Sequence, residues 1–539
     1  MELENLNIPA INQFASLYIK QKEPVTSFFH YNINQPDVYR ERLNDLTIRD
    51  FDREELTDCI ASYMRDLPSS RKVEESLKKL RSGAVSVVAG QQAGLLTGPL
   101  YTIHKIISVI KLAQEQESAL DHPVVPVFWI AGEDHDYQEV NHIYQEKGIQ
   151  MEKFGYPERV LEKKMTSDIS FDKNVMKNWV NEIIQALGES RHTKKLVSEL
   201  NQMIEREGDI VRFFAHFVMH LFKDFGLLVI DSAYPALRKI EKNHFHHLIE
   251  SSQSITNAVL EQQEEIRNNG FSTQLDISPN AANLFISIND ERALLEREGS
   301  AFKEKNAGDT ITMEGILKML DEAPERFSNN VVTRPLMQEW LFPTLAFIGG
   351  PGEIAYWGEL KKVFEHSGLK IPPVVPRLSI TIVEREVEKK LASLGLSLTQ
   401  VLIEGVSEKR EEYWCSIKEP SLEREIAELE QFLQQKYTHI REKSERIHRG
   451  LNQIVDKNLS IHLHQFDYLR KRTDKALKDK YEKTFSDFAK VENCLRPNEG
   501  PQERTWNTLY FLNKYGENFI QDVTSLQMEF DGTHKVVYV

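Results

Sequence analysis

The chain has 539 residues, 40% apolar and 28% charged, which excludes disordered and fibrous classes and leaves room for roughly three or four domain-sized units. Its 67 basic and 82 acidic side chains give a net charge of -15, which argues against a general nucleic-acid binder. Cys59, Cys415 and Cys494 are too few and too scattered for a disulfide framework or a thiolate zinc site, so they fit a reducing compartment. No stretch approaches the roughly 18 apolar residues of a membrane span, and Met1 to Gln13 lacks a signal-peptide core; the expected location is cytoplasmic, with no membrane partner.

Residues 1–80 read as short helices. Ala84–Ala89 is the first strong strand, short and rich in β-branched residues as a buried parallel strand should be. A glycine-punctuated loop, a helix over Pro99–Gln116 and a second apolar strand, Val124–Ile130, complete a β-loop-α-β unit and predict a parallel sheet. Further buried-strand candidates are Leu227–Ile230, Leu284–Ile288, Thr344–Ile348 and Val374–Val375. The polar stretches between them, about 150–225 and 235–330, read as insertions between sheet strands and not as separate sheets.

Residues 421–496 carry the most specific pattern. They are bounded by Pro420 and Pro497, and Ile426, Leu433, Ile440, Ile447 and Ile454 recur every seven residues, with Leu422 and Leu429 filling the seam. A break near Asp456 to Asn458 and a second stripe from Leu459 to Leu495 predict two antiparallel helices of about 36 residues, roughly 54 Å each, in a left-handed coiled coil. Such a hairpin predicts a homodimer. The expected organisation is 1–385 as the α/β core with its insertions, 386–497 as the coiled-coil dimerisation domain, and 498–539 as a C-terminal segment packing back on the core.

Five constellations could carry chemistry. Gly90 to Lys105 joins the first strand to its helix; its glycines allow close backbone approach, and the helix start from Thr97, with His104 and Lys105 further in, suits an anion. Neither a Walker loop nor a dinucleotide fingerprint is present. Gln91, Gln92, Gly94, Thr97, Gly98 and Lys105 are therefore candidate substrate contacts. Phe128 to His142 ends a buried strand in Glu133-Asp134-His135-Asp136, with Asn141 beyond, at the edge where open α/β sheets bind ligands. Asp134, His135 and Asp136 are candidates for proton transfer, ammonium binding or a divalent ion. Phe347 to Glu359 repeats the strand, glycine turn and helix pattern and offers Glu353 and Tyr356. The proline-rich segment from Pro372 delivers Arg377 and Ser379, a phosphate or carboxylate clamp. Trp506 and Tyr510, four apart on a helix face with Asn507 between, are candidates to flank a nucleotide base.

Together, the run from Ala89 to Lys105, Trp129-Ile130-Ala131-Gly132-Glu133-Asp134-His135-Asp136, Gly349-Gly350-Pro351-Gly352-Glu353 and Val375-Pro376-Arg377-Leu378-Ser379 resemble the BshC family of bacillithiol biosynthesis, across essentially the whole chain. The resemblance implies an α/β fold with a Rossmann-like nucleotidyltransferase-type parallel sheet, helical insertions and a C-terminal antiparallel coiled coil. It also implies an enzyme that adds cysteine to glucosaminyl malate. Thr97-Gly98-Pro99-Leu100 stands where the wider superfamily has His-x-Gly-His, and Arg377-Leu378-Ser379 is a faint echo of its Lys-Met-Ser-Lys-Ser loop. Because forming an amide from a free carboxylate is uphill in water, ATP is the expected activator, through an adenylate or an acyl phosphate. In that scheme Asp134 or Asp136 holds the cysteine ammonium, His135 takes a proton from the attacking amine, and His104 joins the catalytic set. Two alternatives stand beside it: a metal-dependent hydrolase built on Asp134, His135 and Asp136, and a scaffold acting through the coiled coil.

Overall fold

The computed structural model describes residues 1–158, 160, 163–289, 291–305 and 310–539. They divide into two compact units. The first comprises Met1–Lys147, Met151–Ile382 and Gly500–Val539; the second comprises Gly148–Gln150 and Val383–Glu499.

A five-stranded parallel sheet organises the first unit. Its strands are β1 (Val85–Gln91), β2 (Val124–Ile130), β3 (Leu228–Asp231), β4 (Thr344–Gly349) and β5 (Val374–Pro376), in the spatial order β5-β4-β1-β2-β3. β2 is buried at every position, which is why it reads as an unbroken apolar run. From β1 the chain first builds outward through β2 and β3, then returns to the other side of β1 with β4. The C-terminal ends of β1 and β4 therefore flank a topological switch point, where open α/β sheets leave a crevice. Helix α1 (Leu100–Leu120) links β1 to β2 and is buried almost all round its first three turns, His104 and Lys105 included.

The stretch expected to hold insertions without a sheet of their own instead carries one. Ala281–Ile288, Glu291–Glu298, Ala301–Glu304, Thr310–Thr312 and Phe327–Asn329 form a five-stranded antiparallel sheet. The candidate strand at Leu284–Ile288 belongs there and not to the parallel sheet. Its neighbours escaped notice because Glu291–Glu298 is mostly charged and shows no polar–apolar alternation, with Arg292 and Arg297 among its buried residues. Helices α2 (Thr333–Leu341) and α3 (Pro351–Gly358) precede and follow β4. The chain ends meet in the first unit: Glu2–Leu6 pairs antiparallel with His534–Tyr538.

The second unit is helical. Its hairpin consists of α4 (Pro420–Ile447) and α5 (Leu451–Lys480), which at 1.5 Å per residue run about 42 and 45 Å. Arg470 on α5 bridges Glu423 and Glu430 on α4, each at 2.7 Å. The connection lies at His448–Gly450, not at Asp456 to Asn458, so Ile454 belongs to the second helix. The seven-residue spacing continues by coincidence across the turn, and the one glycine of the region marks the real break. Ile426 is buried, but Leu429, Phe432 and Ile440 remain 53%, 52% and 45% exposed.

Candidate active site

A cavity of about 700 Å³ opens where the loops after β1, β2 and β4 converge. Gln91, Gln92, Lys105, Asp134, His135, Asp136, Glu353, Tyr356 and Arg377 all line it, so residues up to 286 positions apart in sequence are brought to one cleft. The antiparallel sheet supplies another wall through Phe285, Arg292 and Leu294, and Arg334 from α2 closes in beside them.

A lattice of charges sets the shape of this cleft. Glu133, fully buried, receives Arg238 Nη2 at 2.5 Å, Arg334 Nε at 2.8 Å and the Asn329 amide at 3.1 Å. Burial works to raise its pKa, but the guanidinium groups of Arg238, Arg334 and Arg292 outweigh this and hold it down to about 2. Arg334 also binds Asp134 through Nη2, with Nη1 3.4 Å from the other oxygen. Gln92 approaches Asp134 at 3.5 Å. Gly132 is required here: a Cβ at that position would collide with Ser167 and Asp231.

His135 sits against the antiparallel sheet. Its Nδ1 lies 3.1 Å from Arg292 Nη1, and its ring meets Phe285 edge-on at 5.7 Å. Burial and Arg292 lower its pKa, with Asp136 and Asp134 opposing and Lys163 adding to the depression. Arg292 is itself locked: Nε donates to Ser328 at 3.0 Å, Nη2 to the Asn329 carbonyl at 2.6 Å, and the guanidinium carbon lies 3.7 Å from the Phe285 ring centre.

On the other side of the switch point, the buried Lys105 ammonium donates to the Gly90 carbonyl at 2.8 Å, Gln91 Oε1 at 2.9 Å and Glu353 Oε2 at 2.5 Å. Glu353 also accepts the Gly350 amide at 2.8 Å, capping α3. Burial lowers the Lys105 pKa against the pull of Glu353. Tyr356 borders the cleft with its hydroxyl pushed well above the usual tyrosine range by burial, Glu353 adding to the shift. Arg504, exposed, and Tyr101 complete this end.

The remaining candidates lie elsewhere. His104 is buried away from the cleft, with Nδ1 3.0 Å from Glu503, and has no access to a reacting atom there. The expected anion site at the start of α1 is closed: the Leu100 amide is spent on the Trp506 carbonyl at 2.8 Å. Leu96, Thr97 and Gly98 all have positive φ, and Asn507 holds this turn by donating to the Leu96 and Gly98 carbonyls at 3.0 and 2.7 Å. Gly94 and Gly98 border a separate space of only about 20 Å³, and Thr97 is buried. Trp506, Asn507 and Tyr510 flank a depression with Leu187 and Ile143, apart from the cleft; the Trp506 and Tyr510 rings meet at 4.4 Å with a tilt of 57°, and Trp506 is 4% exposed. Asn141 and Ser379 do not line the cleft; the Ser379 carbonyl accepts the Lys535 amide instead. A metal on Asp134, His135 and Asp136 is disfavoured, because Arg334 and Arg292 already occupy Asp134 and Arg292 occupies Nδ1 of His135. The hydrolase alternative therefore finds no support.

Sequence reading overlooked Arg292, Arg334 and Arg238. Arg334 follows the run Asn329-Asn330-Val331-Val332 and precedes Pro335 at a helix start, a faint signal. Arg292 sits in a charged strand that nothing in the sequence distinguishes from a solvated one.

Fold and cleft define a Rossmann-like α/β protein with a charged cleft at the ends of its parallel strands, and a coiled-coil hairpin. Residues 1–378 match the family model described as "Bacillithiol biosynthesis BshC, N-terminal Rossmann-like domain", and residues 380–539 match the "C-terminal coiled-coil domain" of the same family. Relatives in a Geobacillus species (41% identical), Lysinibacillus sphaericus (39%) and Bacillus pumilus (38%) align over 100% of both chains, each named "Putative cysteine ligase BshC". The chain belongs to the BshC family.

Proposed function

We propose that the chain is a cysteine ligase, forming the amide between the cysteine carboxyl group and the amine of glucosaminyl malate to give bacillithiol. The observation that carries this reading is the charge pattern of one cleft: guanidinium groups of Arg292, Arg334, Arg377 and Arg504 alternate with the carboxylates of Asp134, Asp136 and Glu353 around about 700 Å³. Two anionic substrates and an amino-acid zwitterion need such a mixed lining, and an apolar cofactor pocket would not provide it.

ATP is the proposed co-substrate, and its chemistry is to convert the carboxylate into a phosphorus-linked leaving form. Arg504 and the Lys105–Glu353 end of the cleft suit its phosphates, because cationic groups gather there at the switch point. Asp136, whose side chain is 54% exposed, is better placed than Asp134, which Arg334 already binds, to hold the cysteine ammonium. Arg334 fixes Asp134 and Glu133 and so keeps the loop after β2 in one conformation. The proposed setting is cytoplasmic; among the described residues no helix is long and apolar enough to cross a membrane. The proposed assembly is a homodimer through the exposed apolar residues of α4 and α5.

The test is deletion of the coding sequence, followed by mass spectrometry of small thiols and their precursors, with wild-type and His135→Ala chains put back. The expected result is loss of bacillithiol, accumulation of glucosaminyl malate, and rescue by the wild-type chain alone. Persistence of bacillithiol in the deletion strain would end the ligase reading.

A further inference from the structure

In the cleft, the protonation state of His135 is prescribed by a neighbour. The partner of Nδ1 is a guanidinium, which has five donors and no acceptor. Nδ1 must therefore receive the Arg292 Nη1 hydrogen across their 3.1 Å contact, and the ring proton must lie on Nε2. Arg292 cannot turn away, since Ser328, the Asn329 carbonyl and the face of Phe285 hold its other edges. It also remains charged at neutral pH, its pKa lowered by burial only to about 10. The groups around the ring are Arg292 and Lys163, which oppose a second proton, and Asp134 and Asp136, which favour one; burial and the cations prevail. The lone pair a general base would use is thus already occupied.

We propose that His135 serves the ligase reaction as a neutral hydrogen-bond donor through Nε2–H, held in that tautomer by Arg292 as its positioning residue. Its partner in the cleft is then an oxygen that gains negative charge, on the reacting carboxyl group or on a phosphoryl group, and not the hydrogen of the attacking amine. This rests on the ligase reading for the identity of the oxygen, but the tautomer does not depend on it. The role reverses the proton-abstracting one that the sequence suggests for this histidine.

The experiment has two arms on the full-length chain. Nitrogen-15 histidine NMR, with the His135 signals identified by their loss in His135→Gln, reads the tautomer directly and needs no turnover. The expected spectrum at pH 7.5 shows Nε2–H with an unprotonated Nδ1; Arg292→Lys keeps it, and Arg292→Met populates both tautomers and raises the titration midpoint. In the second arm, amide formation from cysteine, glucosaminyl malate and ATP is compared across variants. Glutamine retains a donor near the Nε2 position but is no base, so His135→Gln is expected within about tenfold of wild type, whereas His135→Ala loses about 10²–10³ in turnover, the usual effect of removing one oxyanion donor. A proton on Nδ1, an imidazolium at pH 7.5, or glutamine no more active than alanine would overturn the proposal. The expected tautomer in a protein that forms no amide would instead count against the ligase reading alone.

Discussion

Arg377 donates two parallel hydrogen bonds to Glu503, Nη1 to Oε2 and Nη2 to Oε1, each at 2.6 Å. The pair is almost fully buried, and His104 adds a third bond to the same carboxylate. Burial would raise the Glu503 pKa, yet Arg377 and His104 hold it well below the carboxylate range. One interaction thus joins the end of β5, the interior of α1 and the C-terminal segment. Removing one partner of such a pair leaves the other charge buried and alone, which costs about 3–5 kcal/mol. Glu503→Ala is expected to lower stability by that amount in urea denaturation and to reduce turnover, because Arg377 also borders the cleft. Unchanged stability would mean that the pair is only a contact and not a tie.

Arg334 serves two carboxylates, Glu133 and Asp134, and Arg334→Met leaves both short of a partner. The sign of the pH effect follows from Glu133. Its folded pKa of about 2 is below the ordinary 4.5, so its stabilising contribution is fully present above about 4.5 and is lost as pH falls toward 2. In Arg334→Met this carboxyl group moves up toward its ordinary value. The variant is therefore expected to be least stable relative to wild type at neutral pH, with the gap narrowing below pH 4.5. Denaturation curves at pH 7.5 and 4 check this; a gap that does not change with pH would show that Arg334 acts through packing instead.

These two clusters show where the sequence was readable. The loops after β1, β2 and β4 could be found because glycines and bursts of polar residues end apolar strands there, and topology brings such ends together. His104 misled because its position near a helix start looks accessible, whereas packing of the C-terminal segment buries it beside Glu503. Arg292 was invisible because its role comes from the antiparallel sheet delivering it to His135, 157 residues away in the chain, and no local pattern encodes that distance. The coiled coil was legible from its period, but its turn was misplaced because Ile447 and Ile454 keep the seven-residue spacing on different helices.

Asp231 ends β3 with its carboxyl pushed up to about 6 by burial, although Ser167 donates to Oδ2 at 2.7 Å and the Ala233 amide to Oδ1 at 3.0 Å. A raised acid reverses the usual sign. The charged form is disfavoured in the fold, so stability is full below about pH 3.8, declines as pH rises toward 6, and stays reduced above it. Asp231→Asn keeps an acceptor for Ala233 and presents an amide to the Ser167 oxygen. It is expected to stabilise the chain by about 1–3 kcal/mol at pH 7.5, with no gain at pH 4. A variant destabilised at pH 7.5 but not at pH 4 would show that the charge itself is needed, and one destabilised equally at both would show that the amide fits the site poorly whatever the charge.

The exposed seam of α4 leads to the last prediction. Ile426 is buried, yet Leu429, Phe432 and Ile440 in the following turns remain about half exposed, and Ile454 and Ile461 on α5 are 63% and 50% exposed. Two helices joined by ion pairs from Arg470 do not need these residues apolar; a second hairpin laid against them does. If the proposed dimer forms there, light scattering on the eluting wild-type chain gives twice its 62.5 kDa mass, and Leu429→Glu, Phe432→Glu and Ile440→Glu together return it to a single mass. Polar replacements on an exposed seam leave the α/β unit intact, so its thermal transition is expected to stay where it is. A wild-type chain that elutes as a monomer at micromolar concentration would remove the dimer, and the apolar stripe would then need a different partner.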